Sequence, residues 1–313
     1  MPESHTHSDP AQGQATGAAM PQDTRLRRRG LLIGAVVAAV LVLAAGGVLA
    51  YQGLSQTARA AATAVAATVP VGHFPAVVAV DPQAGTAYVT NTTDASVSAI
   101  DTRNNRVTAT ISVGHFPLVV AVDPQAGTAY VTNSGDDTVS VIDTRANRVT
   151  ATIPVGNVPA MVAVDSEAGN AYVTNNGDDT VSVIDTRANR VTATIPVGND
   201  PAMVAVDPQA GTAYVTHNGD DTVSVIDIGS SQVAGSIPVG DDPSVVAVDS
   251  EAGAAYVIND RKGSVSVIDT HTNRVATTVL VGNDPWWVTI DPQTGTAYVT
   301  NSDDGTVSVL QAP

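Results

Sequence analysis

The sequence predicts an all-β protein, a six-bladed β-propeller of four-stranded antiparallel blades preceded by one apolar N-terminal helix. Three observations predict it. A tyrosine recurs every 42 residues, at Tyr88, Tyr130, Tyr172, Tyr214, Tyr256 and Tyr298. Each lies in one copy of a unit holding four short alternating segments divided by turn residues, which is the pattern of a propeller blade. The 23 residues from Gly135 to Asn157 reappear unchanged from Gly177 to Asn199. Most of the chain is therefore scaffold, and specificity must reside in its departures from symmetry.

The third unit justifies the strands in order. Ala160 to Asp165 alternates as a first strand, and Asp165-Ser166-Glu167-Ala168-Gly169 is a turn whose glycine supplies a positive φ. Asn170 to Asn175 is a second strand, and Asn176-Gly177-Asp178-Asp179 leads to a third, Thr180 to Asp185. The turn Thr186-Arg187-Ala188-Asn189 then precedes a fourth, Arg190 to Pro196. The repeats begin with a lone fourth strand, Val65 to Val71, and stop after a third, Thr306 to Leu310. Pairing these two fragments would complete the last blade, close the ring and remove its loose edges.

Ahead of the repeats the chain changes character. Residues 1–24 are polar and predicted to be a disordered cytoplasmic tail. Arg25, Arg27, Arg28 and Arg29 then precede twenty uncharged, mostly apolar residues, Leu31 to Ala50. As a helix these span roughly 30 Å, the thickness of a hydrocarbon core. Residues 25–51 thus read as a basic flank and single-pass transmembrane anchor with its N-terminus cytoplasmic. The alternative is a cleaved signal peptide, because Arg28-Arg29-Gly30-Leu31-Leu32 resembles a twin-arginine export motif and Ala58-Arg59-Ala60 a cleavage site. Both readings place the propeller, residues 65–313, outside the cytoplasm after a linker, 52–64.

Composition narrows the partners. The chain carries no cysteine, so disulfides, thiolate metal sites and cysteine nucleophiles are excluded. Residues 61–313 hold 27 acidic and 9 basic side chains, a balance of −18 within a whole-chain charge of −16. Nucleic acid is an unsuitable partner for such a surface. An anionic membrane would repel it unless it were tethered.

The motif Tyr-Val-Thr-Asn stands at 88–91, 130–133, 172–175 and 298–301, with Tyr-Val-Thr-His at 214–217 and Tyr-Val-Ile-Asn at 256–259. With the recurring Val-Gly-x-x-Pro and Ser-Val-Ile-Asp, it resembles the YVTN-repeat β-propeller family, the YncE-like and surface-layer propellers of bacteria and archaea. The resemblance covers residues 65–313 and implies the propeller fold. For function it implies exported binding or surface proteins, some relatives being lactonases or companions of quinone-cofactor enzymes.

Loops joining fourth to first and second to third strands share one face, called top here. They hold 14 acidic residues against Arg261 and Lys262, a balance of −12, while the bottom loops hold 13 acidic against 7 basic, or −6. Strand direction brings the tether in at the bottom, so the top is expected to point away from the membrane. On it, His73 and Phe74, His115 and Phe116, and Trp286 and Trp287 break the symmetry of blades one, two and six. The positions equivalent to Phe74 become Val158, Asp200, Asp242 and Asp284 in later units. An aromatic half facing an acidic half would suit a cationic peptide, an amine or a glycan. The alternative is that the aromatic side chains plug gaps between blades.

His217, standing where the motif has Asn, joins His73 and His115 as a candidate ligand or base, with Asp241 or Asp284 as a further metal ligand. The paired Asp136 and Asp137, Asp178 and Asp179, and Asp220 and Asp221 read either as polar turns or as weak calcium sites. No other cofactor is expected. In the bottom turns Arg103, Arg106, Arg145, Arg148, Arg187 and Arg190 are expected to brace Asp101, Asp143 and Asp185 through ion pairs.

Catalysis has little support: there is no serine elbow or His-Glu zinc helix, the propeller's only glutamates, Glu167 and Glu251, lie in bottom turns, and the acid residues of the lactonase relatives have no counterpart. The expected function is a binding or interaction scaffold at the cell envelope, engaging an envelope protein, peptide or glycan on the top face. The alternatives are a lactonase-like hydrolase or quinone-enzyme companion, and a calcium-stabilised surface protein.

Overall fold

Six twisted antiparallel sheets account for almost all of the chain that the computed structural model describes, namely Val65 and residues 67–311. The first contains β1 (Pro75–Asp81), β2 (Thr86–Asn91), β3 (Ser96–Asp101) and β4 (Arg106–Ser112), hydrogen-bonded in that order. Four more four-stranded sheets repeat the plan between Pro117 and Leu280, and the sixth contains β21 (Pro285–Asp291), β22 (Thr296–Asn301) and β23 (Thr306–Leu310). In the third unit the strands run Pro159–Asp165, Asn170–Asn175, Thr180–Asp185 and Arg190–Pro196, within one residue of the periodicity's prediction. First strands of successive sheets pack closely and fourth strands barely touch, so the sheets fan outward from an inner row of first strands. The fold is propeller-like.

Three periodic devices hold it. Tyr88, Tyr130, Tyr172, Tyr214 and Tyr256 are fully buried between sheets. The Tyr88 hydroxyl donates to the Thr144 carbonyl of the next sheet at 3.0 Å, and burial pushes its pKa up to about 12. The second device is a threonine bridge. Thr90 Oγ1 accepts the N–H of Val77 at 3.0 Å and donates to the Leu118 carbonyl of the next sheet at 3.0 Å. Thr132, Thr174 and Thr216 repeat the donation to Ala160, Ala202 and Ser244. In the fifth sheet the equivalent position is Ile258, buried and apolar, and the bridge is absent there. Third, each motif asparagine is buried and tied across its hairpin, Asn91 Nδ2 donating to Ser96 at 3.1 Å and Ser98 at 3.0 Å.

The bottom turns need left-handed backbone. Gly85, Gly127, Gly169, Gly211, Gly253 and Gly295 all adopt φ between 64 and 71°, as the turn pattern requires. Aspartate, and not arginine, braces these turns. Asp143 Oδ1 accepts the N–H groups of Arg145 and Ala146, both at 2.9 Å, and Asp185 does the same for Arg187 and Ala188. These bonds hold both carboxyls below the usual carboxylate range. Among the described residues the arginines there form no ion pair within 4.0 Å, which corrects the expectation of salt-bridged turns. An exposed guanidinium gains little by giving up its freedom to pair in water.

Closure also differs from expectation. Among the described residues, Val65 and residues 67–71 form no strand, and the sixth sheet ends at β23 with three strands. Tyr298 is 39% exposed, whereas its five equivalents are 0% exposed. Val307 and Val309 on β23 are exposed as well. The sixth sheet lacks the next sheet that covers the tyrosine in the other five.

The expected tail (1–24), anchor or signal peptide (25–51) and linker (52–64) lie outside the described residues. Among the described residues no helix is long and apolar enough to cross a membrane.

Candidate ligand-binding face

The top loops are built around aspartate clamps. In the second sheet Asp136 Oδ2 accepts the His115 N–H at 2.7 Å, and Oδ1 pairs with His115 Nδ1 at 2.7 Å. Asp94 holds His73 in the same way, Asp220 holds Asn199 and Asp304 holds Asn283. Asp178 accepts the N–H of Asn157 at 3.1 Å and the hydroxyl of Thr180 at 2.8 Å. The second member of each aspartate pair reaches the loop leaving its sheet: Asp137 accepts the N–H of Val158 at 2.8 Å, Asp179 that of Asp200 and Asp221 that of Asp242, both at 2.9 Å. The paired carboxylates of the calcium reading thus each have a hydrogen-bonding task. Among the described residues no three acidic or histidine side chains converge as a metal cluster.

The histidines separate into two kinds. His73 and His115 are exposed, and their carboxylate partners, Asp94 and Asp136, are held below the usual range chiefly by the histidines' backbone N–H groups. His217 is fully buried. Its Nε2 meets Ser224 Oγ at 2.8 Å, where the motif asparagine elsewhere bonds the equivalent serine. Its ring lies against Gly198, where an added Cβ would come within 2.9 Å of it. Burial pushes its pKa down to about 4, so it stays a neutral core group.

The tryptophans and phenylalanines separate too. Trp287 is 9% exposed, in the core on β21, with an indole N–H that has no hydrogen-bond partner among the described residues, and Trp286 packs half-buried against the core. Phe74 and Phe116 are 56% and 57% exposed. They occupy loop apices at φ 55° and 51°, and Val158 stands at the same apex of the next sheet, 44% exposed at φ 51°. Left-handed backbone is poorly tolerated by bulky and β-branched residues, and better by Asp. Asp is what the chain uses at the other three apices, Asp200, Asp242 and Asp284, at φ 58°, 60° and 51°. Phe116 and Val158 lie over Gly135 and Gly177, whose missing side chains make room for them.

The face therefore presents three exposed apolar apices on successive sheets, then three carboxylates. Asp200 accepts from Asn176 Nδ2. Asp242, buried, is bonded by Asn218 Nδ2 at 3.0 Å and paired with Arg261 at 3.2 Å, while Lys262 pairs with Asp241 at 3.0 Å. Asp284 is exposed. The motif reading found Phe74 and Phe116 but not the shared left-handed geometry that joins Val158 to them. It also passed over a groove of about 380 Å³ on the outer rim, lined by Ser236, Ile237, Asn273 and Arg274. The signal there is a fourth strand, β16 (Gln232–Pro238), with small residues at Ala234, Gly235 and Ser236.

This geometry defines a propeller-like repeat protein with a two-character loop face, and solved structures share the architecture. The chain is similar to Kuenenia stuttgartiensis hydrazine synthase, with a TM-score of 0.51, 19% identity, and coverage of 75% of this chain and 94% of that one. It is also similar to a functionally unknown protein from Desulfotomaculum acetoxidans DSM 771, with a TM-score of 0.64, 18% identity, and coverage of 72% and 79%. At such identities the likeness is one of fold alone. No protein-family model and no curated protein sequence matches the chain.

Proposed function

We propose that the chain is an extracytoplasmic, membrane-tethered or exported propeller of the YVTN type that acts as a binding scaffold at the cell envelope, engaging its ligand on the top face. One observation carries the reading. On a scaffold repeated nearly without change, the loop apices alone pass from exposed Phe, Phe and Val to Asp, Asp and Asp. Exposed apolar side chains kept at backbone positions that disfavour them are what a surface kept for contact looks like.

The tether follows from the basic flank and the twenty-residue apolar run, Leu31 to Ala50. The test is capture from solubilised envelope with the full chain, wild type against a variant carrying Phe74→Asp, Phe116→Asp and Val158→Asp. The expected result is a retained component lost in the variant, with the melting temperature equal or higher. Equal capture by both proteins sinks the reading.

A further inference from the structure

We infer that the top face takes an extended basic peptide segment that carries apolar side chains at about every third position with cationic side chains between them. The inference rests on the top-face reading above and adds the chemistry of the partner. Phe74, Phe116 and Val158 sit at equivalent apices on three successive sheets. Packed sheets lie about 10 Å apart, so the apolar apices span on the order of 20 Å. A strand rises roughly 3.3 Å per residue, so about six extended residues cover that distance, whereas a small amine reaches only one apex.

Charge selects the partner's sign. The top loops balance at −12, with Arg261 and Lys262 as their only cations, and both are committed to Asp242 and Asp241. Asp284 is exposed, and Asp200 is half-buried with Asn176 as its side-chain partner. Asp200 borders the apolar apices next to Val158 and Asp284 stands on the sixth sheet, and both repel acidic chains and attract Lys or Arg. A neutral glycan could stack on the phenylalanines but would add no cation to a face whose charge is strongly negative.

Isothermal titration of the full chain in detergent tests this with four probes. They are an acetylated and amidated heptapeptide with Phe at every third position and Lys between, its Glu–Phe and Lys–Gly counterparts, and a neutral oligosaccharide. Only the Lys–Phe peptide is expected to bind saturably, more weakly as salt rises. The Phe74→Asp, Phe116→Asp, Val158→Asp protein should weaken it by at least about tenfold. Asp200→Asn with Asp284→Asn, which leaves every apex geometry in place, should weaken it as well, so the inference stays testable if the triple variant misfolds. Equal binding of the Lys–Phe and Glu–Phe peptides, or binding indifferent to both variants, overturns it. Preference for the oligosaccharide, or no binding by any probe while envelope capture still separates wild type from the triple variant, overturns the peptide chemistry and leaves the top-face reading standing. Loss of that difference in capture removes both.

Discussion

His217 shows how one side chain can be a ligand by sequence and a core group by structure. Its imidazole replaces an asparagine, keeps the serine contact through Nε2 and leaves Nδ1 without a partner among the described residues. The folded protein keeps it neutral, with a pKa near 4, while an unfolded chain would protonate it near its ordinary 6.5. Stability attributable to this group is therefore full above pH 6.5 and is lost as pH falls toward 4, by roughly 2 to 3 kcal/mol at pH 4.5. The clamp carboxylates are lowered from 3.8 and titrate beneath that window. Denaturant unfolding of His217→Asn at pH 7.5 and pH 4.5 should show much of the acid loss removed; an unchanged difference between the two pH values would contradict the assignment. Val158 gives a second residue-scale prediction. A β-branched residue at φ 51° is strained, so Val158→Asp, the residue of the equivalent apices, should raise stability by about 1 kcal/mol. A drop on thermal or denaturant unfolding would show that Val158 serves packing.

At the scale of strands and sheets, the threonine bridge shows what one hydroxyl does when it lies between two edges. Thr174 Oγ1 accepts the N–H of Met161 at 3.0 Å and donates to the Ala202 carbonyl of the next sheet at 3.4 Å. Thr174→Val keeps the shape and removes both bonds, leaving the buried Met161 N–H without its acceptor at a cost of about 1 to 3 kcal/mol. Denaturant unfolding should record that loss with an unchanged m-value; a loss below about 0.5 kcal/mol would mean that shape alone fits the sheets together. Strand positions and turn glycines were legible because period-two alternation and left-handed turns leave their mark on residue type. Tyr88 and its equivalents were legible as a period. The bridge was not, because the threonine of Tyr-Val-Thr-Asn looks like any strand threonine until the next sheet's carbonyl is in view. The same holds for the top face: Phe74 and Phe116 stood out as symmetry breaks, but their exposure, the burial of Trp287 and the pairing of Asp136 with His115 depend on how loops from neighbouring hairpins meet. Residue type alone does not encode that meeting.

At the scale of the whole molecule the junction of the sixth and first sheets decides the shape of the face. Residues 65–71, Val-Ala-Ala-Thr-Val-Pro-Val, align one period before 107–113, Val-Thr-Ala-Thr-Ile-Ser-Val. In the first sheet Ser98 pairs with Thr110 and the Val113 N–H bonds the Ala95 carbonyl at 3.0 Å. Shifted by the repeat, these become Ser308 with Thr68 and the Val71 N–H with the Gly305 carbonyl. Gly72 already bonds Asn91 Oδ1 at 3.1 Å, as Gly282 bonds Asn301, so the chain leaves the first sheet's edge in the geometry that a preceding fourth strand uses elsewhere. We therefore predict that the ribbon adds to β23 in solution, hiding the edge of the sixth sheet, and that the first sheet then covers Tyr298. Because the chain has no cysteine, a Thr68→Cys, Ser308→Cys pair reports closure without background: intramolecular disulfide formation and resistance of Tyr298 to nitration are the expected results. A pair that stays reduced under mild oxidant, with Tyr298 nitrated readily, would establish the open arc as the working form. The apices of Phe74 and Asp284 would then be the two ends of a crescent, and a bound peptide would enter from the side instead of lying across a mouth.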